Sequence, residues 1–198
     1  MAKIPPKIYF RLQTAELGLN NTNGGGGGIL ISEGVDSEVS NNIIQGNAAV
    51  GGGGIALAAY SYPVVVNNTF VGNSGSAIHA YASAAVIVNN IIAFNDRGFY
   101  CGNCNITPRY NDVYENRSSG GTLQDYYGVT PGTGCISADP LFVDLQDDDY
   151  HLLSGSPCID TGTSSYGAPA NDKDDNPRPY DGDGDTYAYF DMGAYEYQ

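Results

Sequence analysis

Four ten-residue blocks decide the fold of this chain: EVSNNIIQGN at 38–47, VVVNNTFVGN at 64–73, VIVNNIIAFN at 86–95 and TPRYNDVYEN at 107–116. Their start-to-start spacings are 26, 22 and 21 residues, a period typical of stacked-repeat proteins. Every block has Asn in its fifth and tenth positions. These asparagines are Asn42, Asn68, Asn90 and Asn111 in the fifth position and Asn47, Asn73, Asn95 and Asn116 in the tenth.

Stacking of the repeats would place equivalent asparagines directly above one another. A side-chain amide can then donate a hydrogen bond to one neighbouring coil and accept one from the other. We therefore predict two asparagine ladders running from coil to coil. The second position of each block is apolar or Pro and the seventh is always apolar, so these positions are predicted to form the core.

Glycine runs and alternating segments lie between the blocks. GILIS follows one glycine run and GIALAAY follows the next. Alternation with a period of two residues is typical of strands, so each coil is predicted to contain three short parallel strands. Only residues 1–23 are irregular, and we interpret them as a degenerate first coil or an N-terminal cap.

The GGGI and NNxxxxN patterns resemble the right-handed parallel β-helix family, which includes pectate lyases and many bacterial surface proteins. The stretches DPLFVD at 139–144, DYHLLSGSPCIDTG at 149–162 and DMGAYEY at 191–197 are similar to the closing segment of secreted bacterial β-helix proteins. The resemblance covers residues 24–198 and implies an extracellular or cell-surface protein. Because residues 1–23 lack the apolar stretch of a secretory signal, we expect that a signal has been removed.

The predicted fold class is therefore all-β: a single right-handed parallel β-helix, or solenoid, of about five coils with an acidic C-terminal cap. Residues 24–138 are assigned to the repeat coils, and 139–198 to the last coil and the cap.

The charge balance restricts the partners. There are 22 acidic and 8 basic residues, a net charge of −14, and such a surface repels nucleic acid and anionic membranes. No apolar run is long enough to span a bilayer. From Asp139 onwards there are 14 acidic and two basic residues.

Four cysteines are present, and Cys101 and Cys104 form a CxxC motif without the βαβ surroundings of a thioredoxin. Cys135 and Cys158 lie about one repeat length apart, which would allow a disulfide between adjacent coils. Inert buried thiols and a zinc site are the alternatives.

The acidic C-terminal segment contains a DxDxD motif, a spacing that lets three carboxylates converge on calcium. We predict a structural calcium site formed by Asp181, Asp183, Asp185 and Asp191. The alternative is a solvated acidic loop.

The family resemblance also implies a catalytic alternative, because lyases of this fold use calcium beside carboxylates and an Arg or Lys base. Arg97, Arg109, Arg117 and Asp112 are the weak catalytic candidates. Arg–Asp neighbours on a solenoid are more often surface ion pairs.

Tyrosines are frequent in the predicted outer loops, where their rings could stack on sugars or pack at strand ends. Tyr60, Tyr62 and Tyr81 belong to this group. The residues selected as ligand contacts are Tyr100, Tyr110, Tyr114, Tyr126 and Tyr127.

The leading functional interpretation is a non-catalytic extracellular or cell-surface module that is structural, adhesive or polysaccharide-binding. A small or truncated polysaccharide lyase acting on acidic polysaccharide is the alternative. A further alternative is self-assembly through the strand edges of the N-terminal coil. Because Arg109, Tyr110 and Asp112 break the repeat pattern in the fourth block and an insertion follows at 115–134, any site outside the acidic segment is expected there.

Overall fold

Five coils of β-structure build the body of the protein. The computed structural model describes residues 9–13, 16–18, 21–22, 25–32 and 36–198, and for the residues before 25 it describes backbone strands only. The coils contain, in order, β1 (Tyr9–Gln13), β2 (Glu16–Gly18), β3 (Asn21–Thr22) and β4 (Ile29–Ile31); β5 (Asp36–Ser40), β6 (Ile43–Gln45) and β7 (Ala48–Leu57); β8 (Val64–Val66), β9 (Thr69–Val71) and β10 (Ser74–Tyr81); β11 (Val86–Val88), β12 (Ile91–Ala93) and β13 (Arg97–Gly102); and β14 (Asp112–Tyr114) and β15 (Tyr126–Tyr127).

Strands of successive coils pair in parallel to form three sheets. The first sheet has the order β1-β5-β8-β11, the second β2-β6-β9-β12-β14 and the third β3-β7-β10-β13-β15, with β4 also paired to β7. The predicted parallel β-solenoid is confirmed, with four full turns and a shortened fifth. Within the described ranges there is no helix that could cross a membrane.

The predicted core positions are buried. From the second position of the blocks, Val39, Val65 and Ile87 are fully buried, and from the seventh position so are Ile44, Phe70, Ile92 and Val113. Each short strand therefore contributes an inward side chain that stacks on its equivalent in the next coil.

Both asparagine ladders are confirmed. Nδ2 of Asn42 donates to Oδ1 of Asn68 at 2.9 Å, and the same contact joins Asn68 to Asn90 and Asn90 to Asn111 at 3.0 and 2.9 Å. In the other ladder, Asn47, Asn73, Asn95 and Asn116 are joined in the same way, at 3.2, 2.9 and 2.8 Å. Each acceptor oxygen also receives the backbone N–H of the preceding ladder residue.

The ladder ends were not predicted. The backbone N–H and Nδ2 of Asn116 both donate to Oδ1 of Asp125, at 3.0 and 2.8 Å, so a carboxylate terminates the second ladder. At the end of the first ladder, the Cys135 sulfur lies 4.0 Å from Nδ2 of Asn111.

The residue before each ladder asparagine has a different role. Asn41, Asn67 and Asn89 have positive φ angles of 55°, 53° and 55°, a left-handed conformation that Asn tolerates better than most residues. Their Nδ2 atoms donate to the carbonyls of Asn171, Asp191 and Thr163 at 2.7, 2.9 and 2.7 Å. In each pair of consecutive asparagines, the first thus binds the C-terminal segment and the second joins neighbouring coils in the ladder.

The C-terminal segment, residues 139–198, packs beside the coils, and its assignment to a last coil and an acidic cap stays a prediction. It begins with an antiparallel hairpin of β16 (Phe142–Asp144) and β17 (Asp149–Leu152) and lies along the outer face of the second sheet. That face carries outward apolar side chains that need cover. Ile43, Val71, Ile91 and Ala93 form one buried cluster with Phe142, Tyr150, Leu152, Cys158, Ile159, Met192 and Ala194.

A buried ion pair organises the end of this segment. Nη1 of Arg178 lies 2.8 Å from Oε2 of Glu196, with both side chains inaccessible to solvent, and Nη2 donates to the carbonyl of Gly193 at 3.1 Å. Because removing one partner would leave an uncompensated buried charge, the pair fixes the segment's final turn.

The predicted Cys135–Cys158 disulfide is wrong. Cys101 is bonded to Cys104 instead, and both Cys135 and Cys158 are free thiols. Cys135 lies 3.3 Å from the carbonyl of Pro108, whereas Cys158 belongs to the C-terminal segment outside the second sheet.

Replacement of a central ladder asparagine is expected to destabilise the whole solenoid. Asn90→Ala would leave the backbone N–H of Asn68 without its acceptor, remove one of the acceptors of Asn68 Nδ2 and take a donor from each of the carbonyls of Val65 and Val88. At roughly 1–3 kcal/mol per unsatisfied buried group, unfolding by urea should show a loss of about 3 kcal/mol or more.

The matched control is Asn105→Ala, at an exposed asparagine, which is expected to change stability by less than about 0.5 kcal/mol. Equal stability losses in the two variants would contradict the role of the ladder.

Candidate functional site

The corner between the third and first sheets contains a surface cleft. The second coil turns this corner with residues 58–63, whereas the third coil uses only residues 82–85. The longer turn raises Tyr60 and Tyr62 beside a floor of small residues, 82–84, and Asn103 and Asn105 of the fourth coil lie among the lining residues, as does Tyr81. We call this concavity of about 400 Å³ the tyrosine cleft.

The three tyrosines of the cleft are open to solvent. Tyr60, Tyr62 and Tyr81 are 71%, 53% and 52% exposed. In contrast, Ser83 in the floor is buried, and its hydroxyl has no hydrogen-bond partner within the part of the chain that the structure describes. Solvent does not reach this oxygen, so the polar groups that the cleft presents to a bound molecule are those of its exposed tyrosines and asparagines. None of the described residues that line the cleft is charged.

Tyr81 depends on the glycine beside it in the next coil. A Cβ at Gly102 would lie only 3.0 Å from Cδ2 of Tyr81 and 3.3 Å from Cε1 of Tyr100. Gly102 and Asn103 are enclosed by the Cys101–Cys104 disulfide. The disulfide loop therefore supports one wall of the cleft.

A separate aromatic stack follows the outer face of the third sheet. The ring of Tyr100 lies 4.6 Å from that of His79 and 5.0 Å from that of Tyr127, with interplanar angles of 16° and 7°. The guanidinium of Arg97 lies 5.6 Å from the Tyr100 ring centre. Because Tyr100 has neighbours on both faces, it presents its edge to solvent and offers no face to a sugar.

The five tyrosines predicted to contact a ligand do not form one surface. Tyr100 and Tyr127 belong to the aromatic stack, and Tyr126 lies parallel to Phe99 against the interior core. Tyr110 and Tyr114 are partly buried against the cluster beneath the C-terminal segment. Tyr60, Tyr62 and Tyr81, which line the cleft, belong to the predicted outer-loop tyrosines but not to the five selected as ligand contacts.

The three arginines of the catalytic alternative have separate local partners. Nε of Arg97 donates to Gln124 at 2.7 Å, and Arg109 lies over the ring of Tyr166. Arg117 forms a two-point ion pair with Glu115. We find no common groove for these residues in the described structure.

The predicted calcium ligands are also divided. Carboxylate oxygens of Asp181 and Asp183 approach those of Asp160 to within 4.8 Å. Asp185 is outside this group, and Asp191 is buried, accepting the backbone N–H groups of Asp160 and Tyr197 at 2.7 Å each. A calcium site of Asp181, Asp183, Asp185 and Asp191 stays a prediction, and the structure brings Asp181 and Asp183 together with Asp160.

Residues 8–133 match the family model described as the right-handed β-helix region. The chain belongs to this right-handed β-helix family. Comparisons with curated proteins and with solved structures gave no match. The family match ends before the C-terminal segment of this β-helix, so the resemblance of that segment to secreted proteins stays a prediction.

Asp112, the fourth catalytic candidate, is part of a buried anchor in this β-helix. It occupies the outward row of the second sheet that holds Ile91 in the preceding coil, and it is fully buried. Its carboxyl accepts the backbone N–H of Ala138 at 3.1 Å and the thiol of Cys158 at 3.4 Å. The break in the fourth block therefore marks an attachment point for the C-terminal segment rather than an open site.

Burial also changes the acidity of this anchor. Loss of solvent raises the pKa of Asp112 to about 7, against the opposing effect of the hydrogen bonds from Ala138 and Cys158. Burial and the neighbouring Glu196 likewise raise the pKa of Asp191 to about 7. At neutral pH these carboxyl groups retain part of their protons.

The free energy of unfolding should therefore fall as pH rises. Between about pH 4 and pH 7, folded Asp112 keeps a proton that the unfolded chain has released, so folding is favoured less at each higher pH until the folded group is ionised. The Asp112→Asn variant should lose less free energy of unfolding between about pH 4 and pH 7 than the wild type, by on the order of 2 kcal/mol. Urea unfolding at a series of pH values measures this difference.

The exposed Asp147 provides the control, because its side chain is in solvent. Asp147→Asn should leave the wild-type pH dependence in place. A flat wild-type profile, or an unchanged slope in Asp112→Asn, would contradict the buried-acid interpretation.

Proposed function

We propose that this β-helix is a non-catalytic extracellular module that binds carbohydrate in the tyrosine cleft. The observation that carries the proposal is the grouping of three solvent-exposed tyrosines and two exposed asparagines around a floor of small residues. Tyrosine rings offer apolar faces to the C–H groups of a sugar, and polar side chains between them pair with its hydroxyls. The solenoid backbone holds the tyrosine rings and the polar side chains in place.

Binding is favoured over cleavage by the chemistry of the cleft. General acid–base catalysis most often uses His, Asp, Glu or Lys within hydrogen-bond reach of the reacting atoms, and the described lining holds none of these, its titratable side chains being the three tyrosines. The lyase alternative would need Arg97, Arg109 and Arg117 to act together, but each has its own partner. That alternative predicts ultraviolet-absorbing unsaturated products from an acidic polysaccharide.

An extracellular location is supported by the Cys101–Cys104 disulfide, because disulfides persist mainly in oxidising compartments. Self-association through the first coil stays a prediction, since residues 1–8 and the side chains of β1–β3 lie outside the described structure.

Replacement of a cleft tyrosine should weaken carbohydrate binding without unfolding the protein. In Tyr81→Ala, the ring is lost from a half-exposed position, so the melting temperature should hardly change. We expect the Kd for a bound glycan, identified on a glycan array and measured by calorimetry, to rise by about tenfold, equivalent to about 1.4 kcal/mol.

Tyr180→Ala is the matched control, because Tyr180 is 47% exposed but lies in the C-terminal segment. Its affinity should equal that of the wild type. If Tyr180→Ala weakened binding as much as Tyr81→Ala, or if no glycan bound the wild type, the proposed function would be rejected.

A further inference from the structure

We infer that the tyrosine cleft accepts an uncharged saccharide of roughly one or two rings, rather than a stretch of an acidic polymer. This inference rests on the proposed carbohydrate-binding function. It specifies the ligand from the charge, the hydrogen-bonding groups and the extent of the cleft.

Charge argues first against an acidic sugar. A uronate carboxylate bound here would lose water without gaining a cationic partner, because the described lining contains no Arg or Lys. The whole chain adds to this effect with a net charge of −14, which repels polyanions. Arg97 and Arg109, which precede and follow Asn103 and Asn105 in sequence, have other partners: Arg97 contacts Gln124 and the aromatic stack, and Arg109 lies over Tyr166.

The polar groups of the cleft suit hydroxyls. Asn103 and Asn105 are exposed amides, each with a donor and an acceptor. The exposed cleft tyrosines add phenol hydroxyls that can donate as well as accept. Donor and acceptor groups side by side match the hydroxyls of a neutral sugar, which donate and accept in the same way.

The extent of the cleft limits the length of the ligand. Its lining comes from three successive coils: Tyr60 and Tyr62 from one corner, residues 81–84 from the next and Asn103 and Asn105 from the third. Coils repeat at about 4.8 Å, so the lining extends over about 10 Å. This length suits a sugar unit at the end of a chain or a short branch.

Gly102 acts as a positioning residue for the same site. Its missing side chain leaves the space that the edge of the Tyr81 ring occupies, and its φ is not in the left-handed region that disfavours alanine. Gly102→Ala should therefore move the ring without straining the backbone. Binding should change while the fold remains.

The experiment is calorimetric titration of the full chain with two oligosaccharide series, from monomer to hexamer. One series is neutral, covering gluco-, galacto-, manno- and xylo-oligosaccharides, and the other is oligogalacturonate. We expect binding to the neutral series, an affinity that stops increasing at the dimer, and less than a twofold change between low and high salt. Gly102→Ala should raise the Kd at least fivefold with an unchanged melting temperature.

Tighter binding of oligogalacturonate, or an affinity that rises through the hexamer, would overturn the inference while leaving the proposed function in place, provided that Tyr81→Ala still weakens the binding about tenfold. A Gly102→Ala variant with wild-type affinity would overturn the positioning role. If neither series bound, the inference and the proposed function would both be rejected.

Discussion

The structure depends on the hydrogen bonding of asparagine amides between coils. A short parallel strand has little stability alone, and the turns of a solenoid bury polar backbone groups that need partners. Each central ladder asparagine meets this need twice, because its Oδ1 accepts from the preceding ladder residue and its Nδ2 donates to two carbonyls and the next amide, as at Asn68. The apolar stacks can align only while the coils keep this register.

The consecutive asparagines of each coil also explain how the acidic C-terminal segment attaches. Asn67 is outward and left-handed, and it binds the carbonyls of Asp191 and Gly193, while Asn68 remains in the ladder. The outward apolar row of the second sheet is covered as a consequence. This segment is therefore a lateral support for several coils, and its acids serve largely as acceptors for backbone N–H groups, as Asp160 does for Gly182 and Tyr189.

Much of the fold could be predicted from the sequence because the period fixes which residues stack. The eight ladder asparagines and the inward apolar positions needed no other information. The tyrosine cleft could not be found in this way, because it arises from a difference in turn length between residues 58–63 and 82–85. Cysteine pairing failed for a related reason: one repeat length separates Cys135 from Cys158, but sequence distance does not show that the second cysteine lies outside the sheets. The site thus combines a predictable scaffold with local departures from its repeat.

Native-state hydrogen exchange tests the central role of the ladders most directly. The backbone N–H groups of Asn68 and Asn90 donate to ladder oxygens at 3.0 and 2.9 Å, so they should exchange only through global unfolding, with the same free energy as the most protected strand amides. The amide of Tyr187, which donates to an exposed aspartate in the acidic loop, should exchange by local opening. If the amides of Asn68 and Asn90 exchanged as readily as that of Tyr187, the ladders would not be the interaction that unites the coils.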